Sequence, residues 1–239
     1  MKLKMDNFPV LFITGTSKGI GNYLAKHYAN NGYQVIGCSR SKFDSLEISN
    51  YRHFEVDVSI EKDVVSLFKD IAKTYKKIDI VINNAAVNST LSMVAMTSFE
   101  KMKSTMEINY LGTFLVCREA VKLMVRNKFG RIINMSSMAV KHEVSGEAGY
   151  TASKAAVVSL SRVLAKEVYP FGITCNVIAP SALDTDLMQS IPKDALKDVL
   201  KRNAIPSLGE PSDIINAIDW ISKPESHSIT GQVIYLGGV

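Results

Sequence analysis

The stretch TGTSKGIG, residues 14–21, decides how the N-terminal part of the chain is read. Before it lies a short apolar run, PVLFI. After it comes IGNYLAKHYANNG, whose apolar residues recur at helical spacing and stop at Gly32. A second apolar run, YQVIGCSR, follows. Strand, glycine-rich turn, helix and strand make a βαβ unit. Gly15, Gly19 and Gly21 permit positive φ and let a ligand approach the backbone closely. The start of the helix offers unpaired N–H groups and the positive end of its dipole, both suited to a pyrophosphate. The spacing, G-x-x-x-G-x-G, differs from the dinucleotide fingerprint G-x-G-x-x-G.

The alternation continues along the chain. HFEVDVS reads as a strand, KDVVSLFKDIAKTYKK as a helix and IDIVINNAA as a strand. A long helical region runs to about Asn127, GRIINMSS is strand-like, and Tyr150 to Tyr169 is helical. GITCNVIAP and QVIYLGG close the series. Short apolar strands between amphipathic helices imply an α/β fold. It is a single Rossmann-type, doubly wound parallel sheet with helices on both faces and right-handed crossovers. The 239 residues fit one dinucleotide-binding and catalytic domain over 1–239, with no linker or internal repeat. The long irregular stretch at about 181–211, around the helical piece ALKDVLKR, reads as a substrate loop.

Composition excludes several function classes. A 46% hydrophobic share describes a globular core, and a net charge of +5 from 28 basic and 23 acidic side chains is spread without a basic block. No nucleic-acid partner is expected. The apolar run before Gly15 is about six residues, too short for a signal core or a membrane span, and no other run approaches that length, so no membrane association is expected. Cys38, Cys117 and Cys175 are scattered, which argues for a reducing, cytoplasmic setting rather than a disulfide framework. His27, His53, His142 and His227 show no metal-ligand spacing.

The end of the second strand is where a dinucleotide's adenosine ribose would lie. An acid there would bind the 2′-hydroxyl of NAD, and a base would suit the 2′-phosphate of NADP. The chain has Ser39 and Arg40 and no carboxylate, with Lys18 in the glycine loop in reach of the same phosphate. NADP(H) is the expected cofactor.

GYTASKAA, residues 149–156, adds a tyrosine and a lysine on one helix face, Tyr150 and Lys154, among small side chains. With it the chain resembles the short-chain dehydrogenase/reductase family, from about Pro9 to Gly238. TGTSKGIG looks like that family's T-G-x-x-x-G-x-G loop, and NNAA (83–86) like its N-N-A-G with Ala86 in place of glycine. Tyr150 and Lys154 match Y-x-x-x-K, Ser137 stands thirteen positions before Tyr150, and Asn109 in MEINYLGTF matches the helix asparagine.

The resemblance implies reduction of a ketone to a secondary alcohol by hydride transfer. Tyr150 would be the proton donor, Ser137 would bond the carbonyl oxygen, and Lys154 would bond the nicotinamide ribose and tune the phenol. Asn109 would help hold a relay water. It also implies cofactor contacts from Gly15, Ser17, Lys18, Gly19, Ile20 and Gly21, from Ser39 and Arg40, and from Asp57 and Val58 beside the adenine. Asn83, Ala85 and Ala86 would line the cofactor or steady the sheet, while Ile178, Pro180 and Thr185 would meet the nicotinamide end. Pro180-Ser181 stands where the family has Pro-Gly. A homotetramer is the family expectation.

The general look is that of bacterial 3-oxoacyl-acyl-carrier-protein reductases, including LGEPSDI and ITGQVIYLGG. This implies a 3-oxoacyl thioester substrate and acyl carrier protein as partner. The two positions matching that group's basic docking residues at the active-site mouth are Lys128 and Phe171, and the second has lost its charge. His142, Glu143 and Glu147 before Tyr150 instead suit a polar ketone of specialised or surface-polysaccharide metabolism. Leu187, Met188, Ile191 and Leu196 are candidates for an apolar lid. A catalytically silent NADP-binding sensor or scaffold is the reading of another class, and the presence of both Tyr150 and Lys154 argues against it.

Overall fold

The computed structural model describes residues 8–41, 48–88, 91–183 and 200–238. The substrate-loop residues 184–199, including Thr185 and the four lid candidates, lie outside the described residues. Seven strands form one sheet: β1 (Val10–Thr14), β2 (Gln34–Ser39), β3 (Tyr51–Glu55), β4 (Ile80–Asn83), β5 (Gly130–Met135), β6 (Ile173–Ala179) and β7 (Val233–Tyr235). Their order is β3-β2-β1-β4-β5-β6-β7, and every pairing is parallel. The order reverses between β1 and β4, and such a switch point opens a crevice beyond the carboxyl ends of the strands.

Among the described residues the α-helices are α1 (Gly19–Asn30), α2 (Glu61–Tyr75), α3 (Phe99–Met106), α4 (Gly112–Asn127), the short α5 (Ala139–His142), α6 (Ala148–Val168) and α7 (Pro211–Ser222). Leu24, Ala25 and Tyr28 of α1 pack with Ile214, Ile215 and Ile218 of α7 on one face of the sheet. There the Tyr28 hydroxyl donates to Asp219 Oδ1 at 2.8 Å, tying the two helices. Helices α2, α4 and α6 cover the other face, with Leu67, Phe68, Val116 and Ala165 in a second core. Both faces of the central strands are buried, which is why β1, β4, β5 and β6 read as mainly apolar runs rather than alternating ones.

Two local differences from the sequence reading have clear causes. The strand expected over HFEVDVS runs instead from Tyr51 to Glu55. β2 ends at Ser39, which pairs with Glu55, so nothing continues the ladder beyond it. Asp57 instead takes the Ser59 N–H at 2.9 Å and the Ser59 hydroxyl at 2.7 Å, a turn that leads into α2. The long helix before Asn127 is interrupted by a π turn, Glu107–Leu111, joining α3 to α4. Single π turns inside helices often mark functional sites, and Asn109 is at its centre.

Candidate active site

A cleft of about 1260 Å³ opens over the carboxyl ends of the strands. Its walls come from the glycine loop, from the turn after β2, from the segment after β4, and from Ser137, Tyr150 and Lys154. Of the sequence-derived residues, Gly15, Ser17, Lys18, Gly19, Ile20, Ser39, Arg40, Asp57, Val58, Ala85, Ala86 and Pro180 also line it.

The glycine loop is built to bring backbone close to a ligand. Gly15 has φ +75° and Gly19 φ +57°. The space a Gly19 side chain would occupy is empty, and α1 starts with no side-chain cap and no acidic residue in its first turn. Its amide groups are left for an anion. A dinucleotide therefore fits this wall: phosphate at the α1 N-terminus, and Arg40 with Lys18 available to a further phosphate.

At the other end of the cleft α6 presents the catalytic candidates. Lys154 is 3% exposed, and its Nζ donates to the Met135 carbonyl at 2.8 Å. Burial pulls its ammonium down to about 8. The charge lies 5.9 Å from the centre of the Tyr150 ring. Burial pushes the Tyr150 phenol up to about 12; a hydrogen bond with Ser137 opposes that rise and the charge of Glu147 adds to it. The phenol therefore holds its proton at neutral pH, the state of a donor. The Ser137 hydroxyl also accepts the Ala139 N–H at 3.1 Å, which fixes it at the start of α5. Its neighbour Ser136 points the other way and donates to the Lys154 carbonyl at 3.2 Å.

Asn109 is fully buried and does not line the cleft. Its Oδ1 accepts the Val87 N–H at 2.8 Å, and its Nδ2 donates to the Val87 carbonyl at 2.9 Å and to Ser153 Oγ at 3.0 Å. The side chain is committed to holding the cleft segment after β4 against α6. Asn109→Ala is expected to lower stability by about 1–3 kcal/mol, because part-buried backbone groups of Val87 and the buried Ser153 hydroxyl lose their partner. Urea denaturation reads this directly.

Asn83 turns into the sheet. Its Nδ2 bonds Asn134 Oδ1 at 2.8 Å, and Asn134 Nδ2 bonds Ser161 at 2.8 Å, a buried polar chain across β4, β5 and α6. The cleft residue is instead Asn84, whose Nδ2 bridges the carbonyls of Thr14 (2.9 Å) and Gly15 (3.2 Å). Sequence reasoning passed over Asn84, although the doubled asparagine at the end of β4 was its signal. Gly21 is also set back from the cleft, packed against Gly15 and Asn84.

Further polar and apolar side chains line the cleft. Glu147 is 8% exposed and accepts from Asn88 at 3.2 Å. His142 Nε2 meets Asn203 Oδ1 at 2.7 Å, and Asn203 Nδ2 donates to Ser181 at 2.8 Å. Leu91 and Met93 line the mouth, continuous in sequence with the exposed Val94, Met96 and Phe99. Lys128 and Phe171 are not at this mouth. They precede β5 and β6, so in one chain they lie at the amino end of the sheet, opposite the cleft, where the Lys128 carbonyl abuts Gly172. Among the described residues no group of three His, Cys, Asp or Glu side chains could hold a metal, and no helix is long and apolar enough to cross a membrane.

Comparison with known proteins agrees with this geometry. A family model described as enoyl-(acyl carrier protein) reductase, a short-chain dehydrogenase model, matches residues 15–238. The chain is 29% identical over 234 residues to the 3-oxoacyl-[acyl-carrier-protein] reductase FabG of Escherichia coli K12, covering 96% of each. It is 31% identical over 228 residues to FabG of Rickettsia conorii, covering 95% of this chain and 94% of that one. Among solved structures, ElxO with NADP bound superposes with a TM-score of 0.88 at 25% identity, covering 96% of this chain and 97% of that one. The ligand-free aldohexose dehydrogenase of Thermoplasma acidophilum gives 0.88 at 26% identity, with coverage of 97% and 93%. With the glycine loop, Asn84 and the Ser137–Tyr150–Lys154 group gathered on one cleft of a seven-stranded parallel sheet, the chain belongs to the short-chain dehydrogenase/reductase family of oxidoreductases.

Proposed function

We propose that this protein reduces a ketone to a secondary alcohol with NADPH, and that the ketone is a 3-oxoacyl thioester. The observation that carries the reaction is the pairing at one end of the cleft of a protonated Tyr150, hydrogen bonded to Ser137, with the buried ammonium of Lys154. The cofactor is NADP(H), supported by Arg40 and Lys18 with no carboxylate at the end of β2, and by the bound NADP of ElxO. The nicotinamide, when bound, supplies the hydride. Ser137 bonds the carbonyl oxygen and Tyr150 gives it a proton as negative charge builds there. Lys154 holds a positive charge near the phenolate that remains, which lowers the cost of losing the proton. Asn109 keeps the wall after β4 in place.

The thioester reading is supported by the FabG relatives and by the apolar mouth at Leu91 and Met93, which suits an acyl chain. A carrier-protein partner, a homotetrameric assembly and a cytoplasmic setting follow from the same reading. A second reading, a polar ketone, is favoured by the buried Glu147 and by the His142–Asn203 pair in the cleft wall. The deciding experiment follows oxidation of NADPH by acetoacetyl-CoA, beside NADH. Rapid turnover with NADPH alone is the expected result. Tight NADPH binding without turnover would overturn the thioester and favour the polar ketone.

The pH dependence has a definite sign. Tyr150 sits at about 12 and stays protonated, while Lys154 loses its proton through about pH 8. Ketone reduction is expected to be flat below that pH and to fall above it as the ammonium disappears. Alcohol oxidation needs phenolate and should rise with pH. A reduction rate that climbs through pH 9 would contradict the assignment.

A further inference from the structure

The turn that offers Ser39, Arg40 and Ser41 to the cleft is held from below by a histidine on the edge strand. His53 Nε2 lies 3.1 Å from Ser39 Oγ and 3.3 Å from the Ser41 carbonyl. Its Nδ1 lies 2.8 Å from the Tyr51 hydroxyl and 3.4 Å from Thr16 Oγ1 in the glycine loop. The Tyr51 hydroxyl also donates to Thr16 Oγ1 at 2.9 Å, and Thr16 reaches the Cys38 carbonyl at 3.5 Å. Gly37 makes room for this, since a side chain there would overlap the Tyr51 hydroxyl. One imidazole thus joins the two segments that frame the adenosine end of the cleft.

The protons can be counted. The Tyr51 hydroxyl donates to Thr16 and Thr16 to the Cys38 carbonyl, so the proton of neutral His53 sits on Nδ1, where Tyr51 accepts it. Its Nε2 then accepts from the Ser39 hydroxyl. Protonated His53 keeps that chain and donates from Nε2 to the turn, while the Ser39 hydroxyl swings to the Ser41 carbonyl. Each of these hydrogens has an acceptor in both states, and the change needs only one hydroxyl rotation. The network accepts a proton without leaving a buried group unpaired.

We infer that His53 is a positioning residue for the cofactor's 2′-phosphate, and that binding the phosphorylated cofactor is coupled to uptake of a proton at this imidazole. The charged and titratable groups around it agree with the sign. Glu55 on the same strand favours the imidazolium, Arg40 and Lys18 line the cleft as like charges, and the Cys38 thiol is pushed up to about 12 and stays neutral. Tyr51 is likewise pushed up to about 12 by burial and stays a phenol. In the free protein burial holds His53 below its ordinary value, so it is mostly neutral at pH 7. A phosphate dianion beside the turn favours the charged form. Affinity for a 2′-phosphorylated dinucleotide should therefore rise as pH falls through the histidine range, and affinity for NAD⁺ should not.

The test is calorimetric titration of NADP⁺ and NAD⁺ into the wild type and His53→Gln between about pH 6.5 and 8.5. The phosphate's own titration, near pH 6, is common to both proteins. The expected result is that the wild type gains about three- to fivefold more NADP⁺ affinity over this range than the variant, the share of a one-unit rise in the histidine pKa, tenfold in full, that falls above the lowered midpoint of the free protein. Equal pH slopes in the two proteins, or the same slope with NAD⁺, would overturn the coupling. Proton NMR of the wild type decides it without a variant. One of the four histidine ring signals should move its titration midpoint upward with NADP⁺ and not with NAD⁺. Four unmoved midpoints would overturn it equally.

Discussion

Tyr150→Phe is expected to lower ketone reduction by about 10³-fold, within the 10²–10⁴ range of a lost general acid, while NADPH still binds. The phenol is hydrogen bonded to Ser137 and its ring faces the Lys154 charge, and removing its oxygen takes away the proton without taking away the ring. The small residues Ala152, Ser153, Ala155 and Ala156 around it keep their places, so the cleft wall is unchanged. A Tyr-to-Phe variant of ElxO with NADPH bound has a TM-score of 0.87 and 25% identity to this chain, which shows that such a variant of that neighbour keeps its dinucleotide. Single-turnover absorbance at saturating NADPH, with binding measured separately by fluorescence, separates chemistry from affinity. Unchanged turnover would remove Tyr150 from the mechanism.

Gly21→Ala is the second large effect expected. A side-chain carbon there would overlap the Gly15 carbonyl oxygen, and would lie 2.9 Å from its carbon and 2.6 Å from Asn84 Nδ2. Both obstacles are fixed: one is backbone, and the other is the amide that bridges the Thr14 and Gly15 carbonyls. Overpacking of this kind costs about 1–3 kcal/mol or more. In a chain of this size that is a fall in Tm of roughly 5–10 °C. NADPH affinity should fall at least about tenfold, because the strain is relieved by moving the glycine loop that faces the phosphates. Thermal unfolding and cofactor titration on one preparation check both. A variant with the wild-type Tm and Kd would show that the loop yields without consequence.

Local features carried much of this protein into view before its structure did. The strand–glycine loop–helix unit, the alternation that makes the sheet and the spacing of Ser137, Tyr150 and Lys154 are all short-range patterns. Helical and strand periods express them directly in the residue order. The basic turn at Ser39 and Arg40 is legible for the same reason, since it follows its strand without a gap. Boundaries were less secure. Strand β3 ended at Glu55 because its only partner, β2, ended opposite it, and that is a fact about two segments and not one.

What tertiary structure alone decided is where each polar side chain spends its hydrogen bonds. Asn83 and Asn84 are neighbours in sequence, yet β4 ends between them, so one turns into the sheet core and the other clamps the glycine loop. Asn109 matches a catalytic position, and its amide is wholly committed to Val87 and Ser153. Lys128 and Phe171 look like residues of the active-site mouth, and lie at the far end of β5 and β6 in the folded chain. His53, which carried no signal but its lack of metal spacing, joins Thr16, Ser39 and Tyr51. The sequence by itself determined the fold and the family, because the fold rests on periodicity within single elements and the family on motifs that stand in order along the chain. Burial decided the rest: which partners a side chain meets across 14 to 37 positions of chain is set by how the sheet and helices pack, and so is the pKa that follows.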